Sequence, residues 1–198
     1  MVRSKLSPMA SELSPGFLVA APVLLDPNFR RSVVLLVDHR EEGSLGFVIN
    51  RPGDVPLSDV VDAIGLQIPD AGLPPAQVVV GGPVAPETGW VVFEPGQEDE
   101  GASEVVRVSE RMAVTASREL LVDLLERRRP GRLLVALGYA GWGPGQLDAE
   151  IAQGAWIPVG LDEEIVFETP PEDRWTAALG SLGIDPARLA AVPPGELS

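Results

Sequence analysis

A chain of 198 residues with 45% hydrophobic side chains can bury a core, and its 20 prolines and 21 glycines divide that core into many short elements. Cysteine is absent and histidine occurs once, which excludes a disulfide framework, a thiolate metal site and a histidine-cluster metal site. A formal charge of −14, from 29 acidic against 15 basic side chains, repels the phosphate backbone on which non-specific nucleic-acid affinity rests.

Residues 1–15 carry Arg3 and Lys5 but no apolar h-region, so they read as a flexible leader and not as a signal peptide. No apolar run nears the ~20 residues that span a bilayer. The expectation is a cytoplasmic protein without a membrane partner, made of a single domain over 16–191 and a tail over 192–198. The first strand is expected over Phe17–Leu25, followed by the turn Asp26-Pro27-Asn28. Ser32–Val37 and Ser44–Asn50 are apolar strands joined at Glu41-Glu42-Gly43, which predicts an antiparallel hairpin ending near Asp38-His39.

Leu57, Val60, Val61 and Ile64 stand at helical spacing. A proline-rich loop to Pro75 leads to strand Val78–Val80, which Gly81-Gly82-Pro83 ends. Trp90–Phe93 and Val105–Val108 are further strands around an acidic loop, and Met112–Thr115 is a short one. Ser117 caps a helix that buries Leu120, Leu121, Leu124 and Leu125. After Pro130-Gly131, Leu133–Leu137 reads as a strand buried on both faces.

Gly138, Gly141, Gly143 and Gly145 then crowd around Tyr139 and Trp142, and Gln146–Gln153 reads as a helix closed by Gly154. This glycine turn predicts a ligand mouth or a structural bend that lets Trp142 fold over the sheet. Trp156–Val159 and Ile165–Phe167 are the last strands. A capping box, Thr169 to Glu172, opens a helix that buries Trp175, Ala178, Leu179 and Leu182, and a final short helix starts at Asp185-Pro186. Strands that cluster instead of alternating with helices predict an α+β fold, a mixed and bent sheet flanked by three to five helices.

Few residues carry identifiable chemistry. His39 lacks a G-x-S-x-G partner and reads as a turn residue. The glycine spacing is neither a dinucleotide fingerprint nor a phosphate loop, and Asp148 and Glu150 would repel an anion there. An all-carboxylate cation site lacks a loop signature, so no metal or other cofactor is expected. Gln146 and Glu150 lie four apart on one helix face, where they and an aromatic wall of Tyr139 and Trp142 form a candidate pocket. Asn50, Arg51 and Arg30-Arg31 sit at strand ends, where arginine either holds a carboxylate or phosphate or pairs with a nearby acid.

Several segments occur in a characteristic order: D-P-N-F-R-R-S (Asp26–Ser32), G-F-V-I-N-R-P (Gly46–Pro52), G-G-P-V (Gly81–Val84), G-Y-A-G-W-G-P-G-Q-L-D-A-E-I (Gly138–Ile151), A-W (Ala155-Trp156) and D-R-W (Asp173–Trp175). Together they resemble the AlgH/YqgE family of bacterial proteins over nearly the whole chain. The resemblance implies a bifurcated, strongly bent β-sheet with a small barrel-like part, surrounded by helices. It carries over no catalytic residue. The transcriptional-regulator label borne by some members is a genetic association without a known DNA-binding element.

The candidate ligand-binding residues are Arg31, Asn50, Arg51, Gly82, Trp142, Gln146 and Glu150. The leading expectation is a non-enzymatic binding or regulatory protein that acts through a protein or small-molecule partner. The alternative is an enzyme using Glu150 with Arg31 or Arg51 on a small phosphate or carboxylate substrate. A third is direct DNA binding through Arg107–Arg132, disfavoured by the charge.

Overall fold

A computed structural model describes residues 13–66, 76–96, 99, 102–126 and 131–185. Residues 1–12 of the leader, the loop before Pro75, the arginine run 127–129, the last helix beyond Asp185 and the tail lie outside the described residues. The elements, in chain order, are β1 Gly16–Ala20, β2 Val33–Arg40, β3 Gly43–Val48, α1 Leu57–Ala63, β4 Ala76–Val80, β5 Val84–Phe93, β6 Val105–Arg107, β7 Ala113–Thr115, α2 Arg118–Glu126, β8 Leu133–Trp142, α3 Gln146–Ala152, β9 Trp156–Gly160, α4 Glu163–Phe167 and α5 Pro171–Gly180. The strands form one sheet in the order β6-β7-β5-β8-β3-β2-β1-β9, with β4 branching from β8. Every pairing is antiparallel except β4 with β8, and the sheet curls as a half-barrel.

The branch lies within β8. Its first half, Leu133–Leu137, pairs with β5 on one edge and β4 on the other, whereas Ala140–Trp142 pairs with β3. One strand thus serves both halves of the sheet, and the change of partner from β4 to β3 falls at Gly138, whose φ is +72°. A Cβ at Gly138 would lie 2.6 Å from the Gly82 carbonyl oxygen and 2.9 Å from that of Val84. A Cβ at Gly82 would in turn overlap the Tyr139 backbone. The fork therefore requires two backbones closer than any side chain permits.

The two faces of the sheet bury different clusters. Phe17, Val19, Val33, Leu35, Phe47, Val92 and Leu134 face one side, where α4 and α5 add Ile165, Trp175 and Leu179. On the opposite side the β1–β2–β3 half presents Leu18, Val34, Leu36 and Trp142, which meet Leu147 of α3. The β5–β7 half presents Val91, Phe93 and Ala113, which meet Leu57 and Val61 of α1 and Leu121, Leu124 and Leu125 of α2. The alternation along each strand is what lets one sheet feed both faces.

Four local expectations are corrected. The strand expected over Leu133–Leu137 does not stop at the glycine run, because β8 continues through Trp142 before the chain turns. Ile165–Phe167 lies in helix α4, which starts where the Asp162 side chain accepts the Glu164 amide at 2.9 Å; that cap outweighs the β-propensity of the apolar triplet. The box from Thr169 to Glu172 does not form: the Thr169 hydroxyl donates to the Glu164 carbonyl, and Pro170 occupies the cap of α5. Leu182 is 46% exposed, because α5 ends at Gly180 before the apolar stripe comes round to it.

Replacement of Gly138 by alanine is expected to cost about 3 kcal/mol or more, since it adds left-handed strain to a backbone overlap. Urea denaturation measures this, and an unchanged midpoint would show that β8 adjusts freely at the fork.

Candidate functional site

Helix α3 has only seven residues, so propensity alone does not hold it. Three contacts do. Leu147 is buried against Trp142 and Trp156 in the cluster beneath the helix. Glu150 faces down onto the same cluster, where its Oε2 accepts the indole N–H of Trp142 at 3.0 Å and that of Trp156 at 2.8 Å. Its Oε1 accepts the Gln146 side-chain amide at 2.9 Å, and Gln146 accepts the Gly143 amide at 3.0 Å. Each hydrogen bond to a charged acceptor is worth roughly 1.5–3 kcal/mol, so the carboxylate is a principal anchor of the helix.

The third contact corrects the reading of His39 as a turn residue. β2 runs on to Arg40, and the imidazole, 3% exposed, is enclosed between β3 and α3. Its Nδ1 lies 2.7 Å from the Ser44 hydroxyl and its Nε2 lies 3.4 Å from Asp148, which is 61% exposed. An ionised carboxylate only accepts, so Nε2 carries the proton toward Asp148 and, in the neutral ring, Nδ1 accepts from Ser44.

Phe29 joins this cluster to the loop between β1 and β2. Its ring stacks on Trp142 at 6.2 Å and meets Trp156 edge-on at 5.5 Å. Asn50, just beyond β3, latches the same loop: its Oδ1 accepts the Val33 amide at 2.7 Å, and its Nδ2 donates to the Arg31 carbonyl at 2.8 Å. Arg51 donates to the carbonyls of Pro27 at 2.9 Å and Arg30 at 3.3 Å. Within this frame Arg31 adopts φ +56°, and its guanidinium lies 4.7 Å over the ring of Trp175. A non-glycine residue at positive φ is disfavoured by roughly 1–2 kcal/mol, which the Asn50 latch and the ring contact offset.

The predicted residues therefore divide. Trp142, Gln146 and Glu150 meet under α3; Arg31, Asn50 and Arg51 meet around the Asp26–Arg31 loop; and Gly82 belongs to the fork. The rings of Tyr139 and Trp142 pack in different clusters, because alternation along β8 turns Tyr139 to the other face, against Trp90 at 6.2 Å. Sequence reasoning missed Trp156 and Phe29, which complete the cluster, and Arg174. The last is fully buried and donates to the carbonyls of Ile49 and Thr169 and, at 2.5 Å, to Gln77. Burial draws its pKa down to about 10. The D-R-W segment was the available signal, but an arginine beside two acids reads as a solvated helix turn.

Depressions open on the surface of the described residues. One of ≈ 610 Å³ has Tyr139 and Trp142 in its walls together with Asp38, Arg40, Glu42, Leu45 and Gly141, but neither Gln146 nor Glu150. Another of ≈ 950 Å³ lies beside α4, where Arg132 pairs with Glu94 and with Glu168 (2.6 Å), and Arg111 bridges Glu94 at 3.3 Å and Glu163 at 3.6 Å. No group of three or more metal-ligating side chains occurs among the described residues.

A short anchored helix, an aromatic cluster closed by a carboxylate and a latched loop on a forked sheet define a protein of mixed α+β architecture. Comparison with known proteins agrees. The chain belongs to the AlgH-like family, whose model matches residues 17–187. It is 46% identical over 181 residues to a UPF0301 protein of Anaeromyxobacter dehalogenans, covering 88% of this chain and 90% of that one. It is 42% identical to a UPF0301 protein of Methylococcus capsulatus, covering 92% and 95%. The solution structure of AlgH from Pseudomonas aeruginosa superposes with a TM-score of 0.73 at 36% identity, over 96% of this chain and 98% of that one. A Corynebacterium diphtheriae protein shares the fold, with a TM-score of 0.69 at 23% identity over 96% and 93% of the two chains.

Glu150→Ala is expected to leave two indole donors without an acceptor and to destabilise the protein by about 2–4 kcal/mol. Thermal unfolding followed by near-ultraviolet circular dichroism measures it, and an unaltered tryptophan signal would contradict the placement. Hydrogen bonding from the Arg132 side chain holds the Glu94 carboxyl below its ordinary 4.5, against the opposing effect of burial. The stability this pair contributes is present above pH about 4.5 and is lost as the pH falls through the lower folded-state value. Glu94→Gln is accordingly expected to flatten that part of the acid limb of a stability–pH profile.

Proposed function

We propose that this chain is a non-enzymatic cytoplasmic binding or regulatory protein that acts through a protein or small-molecule partner. The observation that supports this reading is how the motif residues use their polar atoms. Both Glu150 carboxylate oxygens, both polar atoms of the Asn50 amide and both of the Gln146 amide have partners inside the protein. A general base or nucleophile needs a free lone pair aimed at a substrate, and these groups direct theirs inward. What the motif leaves on the surface is a rigid loop carrying exposed arginines, which suits recognition more than chemistry.

The enzyme alternative required Glu150 to work with Arg31 or Arg51. Glu150 instead takes two indoles and an amide, Arg31 lies over Trp175, and Arg51 holds the loop carbonyls. Direct DNA binding gains no support either. Of the described arginines in that stretch, Arg111 and Arg132 pair with carboxylates and Arg107 and Arg118 donate to backbone carbonyls, whereas Arg127–Arg129 lie outside the described residues. A cytoplasmic location is consistent with a chain that lacks cysteine and in which no described helix is long and apolar enough to cross a membrane.

A survey combining thermal shift against a metabolite panel with affinity capture of protein partners is expected to yield a stabilising partner and no turnover. Clear turnover of a panel compound, with no stabilising partner, would reject the proposal.

A further inference from the structure

We propose that the depression of ≈ 610 Å³ at the tip of the β2–β3 hairpin binds a small organic cation, an ammonium group carried on a short apolar body. The proposal rests on the reading of the chain as a binding protein and names the ligand class for it.

The first ground is a β-bulge in β2. Leu36 stands opposite Gly46 of β3 but Asp38 stands opposite Leu45, so Val37 is an extra residue in the ladder. Val37 and Leu45 pack against the core that α4 and α5 cover, whereas Leu36 belongs to the cluster on the opposite face. An unbroken strand would send residue 38 to that opposite face with Leu36. The bulge instead sets Asp38 in one row with Leu45 and with Gly141 of β8, and all three line the depression. A carboxylate is thereby delivered to the rim of an apolar face.

The second ground is the aromatic wall. The Tyr139 ring lies over Gly141, where a Cβ would come within 3.2 Å of it, and Trp90 meets it edge-on at 6.2 Å. Held on two sides, the ring lines the depression together with Leu45 and the exposed Val84. The volume falls among those of small-molecule sites, roughly 300–1,000 Å³. A cation set against a tyrosine face is drawn by the negative charge of the ring face, and its apolar body gains contact with the aliphatic side chains.

The third ground is the charge left over in the walls. Arg40 donates to Asp38 at 2.8 Å, and this exposed pair is neutral as a whole. Glu42, in the same walls, forms no ion pair among the described residues, so the lining carries one negative charge in excess. The turn that presents Glu42 is pressed onto the end of β8. Gly43 has φ +146°, and a Cβ there would lie 2.6 Å from the Trp142 carbonyl oxygen. A fixed carboxylate, a ring and aliphatic side chains suit a monocation with an apolar body. A bare metal ion needs more oxygens, and no group of three or more metal-ligating side chains occurs among the described residues. The field of a chain with a formal charge of −14 favours cations throughout.

The test is titration of the full-length chain at low ionic strength with n-butylammonium, choline, n-butanol, butyrate and a short peptide with one central lysine. Calorimetry follows it, together with the Trp90 Nε1–H resonance, whose proton is buried behind Tyr139 without an acceptor in the protein. Saturable, salt-sensitive binding of butylammonium or choline is expected to shift that resonance, and butanol and butyrate are expected to leave it in place. Glu42→Gln, at an exposed turn, is expected to keep the parent melting temperature and to weaken binding about fivefold. Glu41→Gln, next to it but outside the walls, is expected to leave the affinity unchanged. Tyr139→Phe is expected to retain binding and Tyr139→Leu to weaken it about fivefold. Absence of saturable binding by both cations overturns the site, as does equal binding of butanol or butyrate, or an equal loss in Glu41→Gln and Glu42→Gln. Tighter binding of the peptide than of either amine overturns the assignment to a small ligand. Those outcomes leave the binding reading intact, since a ligand can be held elsewhere on the chain. Turnover of a bound amine would instead reject the non-enzymatic reading and leave the site standing.

Discussion

A single strand paired with three others constrains everything else in this protein. β8 accepts β4 and β5 along its first half and β3 along its second, and the backbone at Gly138 and Gly82 has to pass closer than any Cβ allows. Because the two halves diverge there, each buries its own cluster on the outer face while both share one core on the inner face. The glycine segment, which sequence left as a ligand mouth or a structural bend, is thus the line along which the sheet divides, and Gly138 serves close approach there.

Downstream of the fork, the motif residues act on one another. Glu150 ties Trp142 of β8 to Trp156 of β9 through α3, Phe29 lays the β1–β2 loop on the same rings, and Asn50 and Arg51 fasten that loop from the other side. The consequence is a rigid surface loop whose backbone is determined at both ends. Such overdetermination is what allows Arg31 to remain at positive φ. It also separates the residues that sequence grouped together: Glu150 and Gln146 hold the helix, whereas Asn50 and Arg51 hold the loop.

Much of the fold was legible in the residues. The hairpin of β2 and β3, helices α1 and α2, and the apolar run of β8 follow from alternation, helical spacing and capping at Ser117, whose hydroxyl accepts the Leu120 amide at 3.3 Å. The branching itself was legible only through family resemblance, since no local pattern reports that β4 and β3 share one edge of β8. The site was legible in part. Gln146 and Glu150 were placed on one helix face from their spacing, but their acceptors and donors lie on β8 and β9, at separations that local rules do not reach. His39 was misread for the same reason: its partners Ser44 and Asp148 arrive from β3 and α3. Arg174, with three acceptors from three segments, is the extreme case.

The central claim is that the Glu150 carboxylate is committed to the two indoles and is unavailable for chemistry. Solution NMR of the assigned tryptophan Nε1–H protons in the parent chain and in Glu150→Gln measures this directly. The account predicts that the Trp142 and Trp156 protons exchange slowly and shift together in the variant, while Trp175, bonded to the Ala20 carbonyl at 3.1 Å, stays where it was. Fast exchange of Trp142 and Trp156 in the parent, with no response to the substitution, would contradict it.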